Sequence, residues 1–185
     1  MNLIGKWHQE DPATVAVPGM KDFRRAADAI CQQALNDARE HLHPLLRDTD
    51  VYYLRQRNEF VDTFKLALER RIAQRLASWY PGVQAIFKFD ESWMEARHHW
   101  DGSIHLLVKV PRLSNALKTL GKRLDTNLTR RLQRLGWSRF RRHRSILEVQ
   151  QVTPSELRHG VSYGAMFQAV YSAPVKVWPP KQAPR

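Results

Sequence analysis

Arginine and lysine crowd one stretch of this chain. The 27 positions from Lys118 to Arg144 carry ten basic residues and a single acid, Asp125. Cations at that density neutralise phosphates and release the counterions condensed on a polyanion. The stretch has two parts. The first has helical spacing, with Lys118, Lys122, Arg123, Arg130 and Arg134 away from a stripe of leucines. The second is Arg139-Phe140-Arg141-Arg142-His143-Arg144, preceded by Trp137. In a strand, Arg139, Arg141 and His143 would face one way and Arg142 and Arg144 the other. Aromatics beside such cations can stack on bases.

The position of this charge is informative. The chain has 185 residues, with 30 Lys+Arg against 18 Asp+Glu and a formal net charge of +12. Residues 1–50 are net −2 and residues 51–110 net +2, so residues 111–185 hold the whole excess. An even bias would fit solubility alone; a local one implies a positive surface.

A second set of residues with chemical potential lies around Asp101-Gly102, a hairpin signal. A three-residue loop there pairs Trp100 with Ile104. It gathers Met94, Ala96, His98 and Trp100 on one face with Ile104, Leu106, Val108 and Val110. Burial of one apolar face selects this register, since a one-residue slip turns every side chain over. The other face receives Trp93, Glu95, Arg97, His99, His105, Leu107 and Lys109, with His99 opposite His105 and Glu95 opposite Lys109. Paired histidines can act as acid–base groups or metal ligands. A catalytic zinc normally takes three protein ligands, and Glu95 lies roughly 13 Å along the strand from His99. No metal and no cofactor are therefore expected.

Other chemistries are excluded by what is missing. One cysteine, Cys31, rules out a disulfide framework and lies on an apolar helix side. No glycine-rich phosphate loop and no Gly-x-Ser-x-Gly elbow occurs. His41-Leu42-His43 ends a helical pattern, where side chains two apart do not face each other. No catalytic residue can be named from motifs. No apolar run is long enough to span a bilayer, and the first residues lack the apolar core of a secretory signal, so an intracellular, cytoplasmic protein is expected.

The elements that must position these groups follow from periodicity. Phe23, Ala27, Ile30, Ala34, Ala38, Leu42 and Leu45 recur at helical spacing up to Pro44, which disfavours further helix. Asp48-Thr49-Asp50 supplies caps for a second helix, with a stripe of Phe60, Phe64, Leu68, Ile72, Leu76 and Trp79, ended by Pro81-Gly82. Val83, Ala85, Phe87 and Phe89 alternate as in a strand. A third helix spans about Leu113 to Leu135, with Leu113, Leu117, Leu120, Leu124, Leu128, Leu132 and Leu135 on its stripe and Gly136 as its stop. Arg131 falls near these leucines, so it must snorkel or pair. Strands are expected over Ser138–Val152 and about Val161–Val177. Trp93 and Trp178 are candidates for a partner-facing surface.

The order α-α-β-β-β-α-β-β predicts an α+β fold, with an antiparallel sheet of about five strands and helices mainly on one face. It also predicts an irregular arm over 1–19, one domain over 20–178 and a flexible tail over 179–185. Three functions compete. The first is a nucleic-acid-binding protein, taking DNA or RNA through Lys118, Lys122, Arg123, Arg130, Arg134, Arg139, Arg141, Arg142 and Arg144. The second is an enzyme using His99 and His105. The third is an adaptor or oligomer subunit docking an acidic protein, with a sheet edge open to a second copy.

Overall fold

A computed structural model of the chain describes residues 18–89, 102–136, 145–169 and 173–180. The chain is α+β, with helices packed against a four-stranded mixed sheet. The first long helix, α1 (Met20–Glu40), turns Phe23, Ala27, Ile30, Ala34 and Ala38 inward. A 3-10 turn (Pro44–Leu46) follows, and there Leu45, expected on the apolar stripe, is 85% exposed. Asp50 caps a short helix, α2 (Val51–Leu54), by accepting the Tyr52 N–H at 2.7 Å. The expected second helix is thus split, and its long part is α3 (Asn58–Trp79). Its stripe of Phe60, Phe64, Leu68, Ile72 and Leu76 is fully buried. Arg71 of α3 holds Asp37 of α1 through two hydrogen bonds of 2.7 and 2.8 Å.

The strands are β1 (Ala85–Lys88), β2 (Ile104–Lys109), β3 (Leu147–Val152) and β4 (Val175–Trp178), in the spatial order β3-β2-β1-β4. Between β2 and β3 lies α4 (Asn115–Arg134). Two further pieces, α5 (Pro154–His159) and a 3-10 segment (Ser162–Gln168), come before β4.

Three sequence expectations are corrected here. The sheet is mixed, because β2 and β3 are parallel while β1 pairs antiparallel with β2 and β4. The reason is the connection: a 20-residue helix returns the chain by about 30 Å, enough to restart the next strand in the same direction. Second, both edges of β2 are occupied. Phe87 stands beside Leu107 on one side, and Glu148 stands beside His105 on the other. The hairpin ladder expected on residues 104–109 therefore has no edge to sit on. Residues 90–101, with Trp93, Glu95, Arg97, His99 and Trp100, lie outside the described residues. Third, the single strand expected over Val161–Val177 is replaced by the 3-10 segment and β4, with α5 just before them. Trp178 packs partly buried against the main core and pairs with Ile86, so it is not a free interface residue. The arm over 1–17 and the tail over 181–185 also lie outside the described residues.

The face assignment of β2 holds. Ile104, Leu106 and Val108 join the main core beneath the helices. Leu107 joins a smaller cluster on the opposite face with Phe89 and Val152, against which Leu157, Met166 and Phe167 pack. On β1, in contrast, Ile86 points to the helices and Phe87 to the smaller cluster. Lys88 ion-pairs with the buried Glu69 of α3 at 3.4 Å.

Cys31 is buried in α1. Burial pushes its thiol pKa up to about 12, so the nucleophilic thiolate is almost absent at pH 8. A thiol reagent such as DTNB at pH 8 should therefore leave the folded chain unmodified and titrate one thiol after denaturation. Rapid native labelling would show that this part of the core opens.

Candidate nucleic-acid interface

The packing of α4 decides which of its residues reach solvent. Ser114 caps its first turn, with Oγ accepting the Leu117 N–H at 3.4 Å. Leu117, Leu120, Leu124, Leu128 and Leu132 are fully buried, Leu135 is partly buried, and Gly136 ends the helix with φ +72°. Leu113, expected on the same stripe, precedes the Ser114 cap and is 64% exposed. Core burial of that stripe forces the opposite side outward. Lys118, Lys122, Arg123, Arg130 and Arg134 are all exposed there, as the periodicity requires. Lys118, Lys122, Thr126, Arg130 and Arg134 follow each other at four-residue steps, about 6 Å apart along the axis. Among the described residues, none of these cations lies within ion-pair distance of a carboxylate. Arg123 sits 6.0 Å from the ring of Phe23, at the outer limit of a cation–π contact.

The two remaining charges of α4 are engaged elsewhere. Arg131 meets Asp28 of α1 at 3.1 Å, the pairing its place beside the leucines requires. Asp125 is buried and points toward the start of β3. Its Oδ1 accepts the N–H groups of Ile146 and Leu147 at 2.8 and 2.9 Å and the Thr129 hydroxyl at 3.2 Å. The single acid of the basic stretch thus ties α4 to β3 and leaves no carboxylate on the outer face of the helix.

A groove of about 790 Å³ adjoins this row. It runs between α4 and the open edge of β3, and Tyr163 of the 3-10 segment also lines it. Lys118 and Lys122 stand on the α4 side, and Leu147 to Gln151 form its floor. Gln151 fixes the rim by exchanging two hydrogen bonds with the Ser114 backbone, both 2.8 Å. The approach of helix to strand is close at Gly121, where a Cβ would stand 3.1 Å from Val149 Cβ. The glycine that weakens the helix by roughly 1 kcal/mol relative to Ala therefore serves packing. Gly121→Leu should cost about 1–3 kcal/mol through overpacking, read as a lower urea midpoint.

Arg139, Arg141, Arg142 and Arg144 lie outside the described residues, as does Trp137. The chain leaves α4 at Gly136 and is described again from Ser145. The five α4 cations are thus placed on one face, and the four arginines of the connection are not placed.

The histidine reading fares differently. His105 Nδ1 lies 3.1 Å from Glu148 Oε2 on β3, and its ring centroid is 5.3 Å from that of Phe89. These two neighbours fill the lateral positions where His99 was expected. Among the described residues, no group of three or more His, Cys, Asp or Glu side chains is arranged to hold a metal. No described helix is long and apolar enough to cross a membrane. Comparison with known proteins gives no match to a family model, to a curated protein or to a solved structure.

Sequence reasoning missed the groove and the role of Asp125. It also missed α5, for which a signal existed. Thr153-Pro154-Ser155-Glu156 is a capping box with proline at the first helical position. Glu156 Oε2 accepts the Thr153 N–H at 2.8 Å, and Thr153 Oγ1 accepts the Glu156 N–H at 3.3 Å.

Proposed function

We propose that this chain binds nucleic acid, DNA or RNA, mainly through its phosphates. The outer face of α4 makes the contacts, and the arginines of 139–144 extend them. One observation carries this reading. Lys118, Lys122, Arg123, Arg130 and Arg134 share an exposed helix face, and the one acid of the helix is turned inward. Cations that serve protein stability are usually spent on carboxylates, as Arg131 is on Asp28. The five on this face have no such partner among the described residues. They are therefore available to an external polyanion, and the adjoining groove gives the row a wall on one side.

Binding of this kind is governed by counterion release. If five phosphates are contacted, log K should fall against log salt with a slope of about −4.5 on duplex DNA and about −3.5 on a single strand. The test is a filter-binding or anisotropy titration with DNA and RNA of equal length between 50 and 300 mM salt. A slope of about −3 or steeper supports the reading. No retention of either nucleic acid at low salt overturns it, and so does binding that survives high salt undiminished. If acidic polypeptide is retained and nucleic acid is not, the face belongs to a protein partner.

A further inference from the structure

The cationic row of α4 ends next to a pair of exposed aromatics. Arg55 Nη1 donates to the Gly136 carbonyl, two residues past Arg134. The same guanidinium lies over the ring of Tyr52, with Cζ 3.9 Å from the centroid. Tyr53 meets Tyr52 edge to face, with centroids 5.3 Å apart and planes at 84°. Tyr52 is 53% exposed and Tyr53 64%. Rings this large seldom face water in such a pair without a use.

The platform is anchored at both ends. Leu54 is fully buried and anchors α2 in the core. Asp50 holds the start of α2, and Arg55 ties its end to the turn after α4. The tyrosines therefore stand on a fixed element.

The chemistry of the surroundings identifies the occupant. Arg55 and the exposed Arg57 lie on the same segment, and Arg134 closes the row two residues before Gly136. The acids nearby in sequence are Asp48, Asp50 and Glu59, and Asp50 accepts the Tyr52 N–H. An aromatic pair beside stacked and exposed guanidinium groups suits a ligand that presents both a phosphate and a flat π-face. Duplex DNA offers its phosphates and hides its base faces in the stack. A single strand offers both.

We propose that the nucleic acid bound by this chain is single-stranded, with bases stacking on Tyr53 and Tyr52 while its phosphates follow the α4 row. This inference rests on the phosphate-binding reading of α4. Tyr52 is stiffened by Arg55, and Tyr53 is the more open of the two.

The test uses the full chain and anisotropy of a labelled 20-nucleotide oligo-dT, an oligo-U of the same length and a 20-base-pair duplex, all at one salt concentration. The single strands should bind more tightly than the duplex. Tyr53→Ala should lower the single-strand to duplex affinity ratio by about tenfold, the effect of losing one base–aromatic stack. Tyr53→Phe should restore it, because the ring and not the hydroxyl carries the stack. Circular dichroism on each variant checks the fold. Duplex binding equal to or tighter than single-strand binding overturns the inference and leaves the phosphate reading standing. So does a Tyr53→Ala variant that weakens both ligands equally or neither. Loss of self-association in that variant, with single-strand affinity intact, would assign the tyrosines to a protein contact and overturn it too. No binding to any of the three ligands removes both proposals together.

Discussion

Replacing Asp125 with alanine should lower the unfolding free energy by about 3 kcal/mol or more, because it strands two buried backbone donors. Ile146 and Leu147 both give their N–H groups to Asp125 Oδ1, at 2.8 and 2.9 Å. Leu147 opens β3, whose other edge is committed to β2. With the carboxylate gone, neither donor has another acceptor in view, and each buried unmet donor costs about 1–3 kcal/mol. Asp125→Asn keeps an acceptor oxygen at the same place and should lose less than half as much. Urea denaturation of the two variants checks this. Equal losses would mean that the negative charge matters more than the hydrogen-bond geometry.

The second large effect concerns affinity. Replacing Lys122, Arg130 and Arg134 together with glutamine removes three cations from the exposed row and nothing from the core. Each lost phosphate contact should reduce the salt slope by about 0.7 on a single strand and about 0.9 on a duplex, so the triple variant should flatten it by about 2 to 3. At 0.1 M salt, the loss is roughly 10²-fold or more in affinity, and it should be uniform across nucleic-acid sequences. Arg131→Gln is the matching control. Its guanidinium is engaged with Asp28, so it should alter stability and leave the slope near that of the wild type. Parallel salt titrations on both variants decide this. A triple variant with an unaltered slope would move the phosphate contacts off α4.

How much was legible beforehand depended on how local the deciding interaction is. The leucine stripe of α4, the inward face of α1 from Phe23 to Ala38 and the alternation of β2 were all readable, because burial imposes a fixed period on each. The cationic face followed for the same reason, as the complement of that stripe. Leu45 lies off the stripe because α1 ends at Glu40 and Pro44 opens a separate 3-10 turn, where the helical period of α1 no longer applies. The sheet's mixed character differs from the antiparallel expectation at one connection: the helix expected between the strands at 104–110 and 138–152 is itself the usual sign of a parallel crossover. The alternation of Tyr163, Ala165, Phe167 and Ala169 resembled a strand, but their segment is largely a 3-10 helix that begins two residues after Gly160 (φ +61°). The groove and the Tyr52–Arg55–Gly136 chain were out of reach. Arg55 and Gly136 are 81 residues apart in sequence, and only the fold brings them together.

The four-residue steps of the α4 row also bear on the protein's own energetics. Lys118 with Lys122, and Arg130 with Arg134, are like-charge neighbours on successive turns. Each such pair opposes helix formation by about 0.2–0.5 kcal/mol. The leucines beneath hold the helix in place against that repulsion. A polyanion laid along the row would relieve it, so occupancy and helix stability are thermodynamically linked. Simple salt would relieve it too, by screening, while competing for the same face. The free chain should thus gain stability under the ionic conditions that weaken its complexes. That opposition follows from building one helix with a core on one side and a row of like charges on the other.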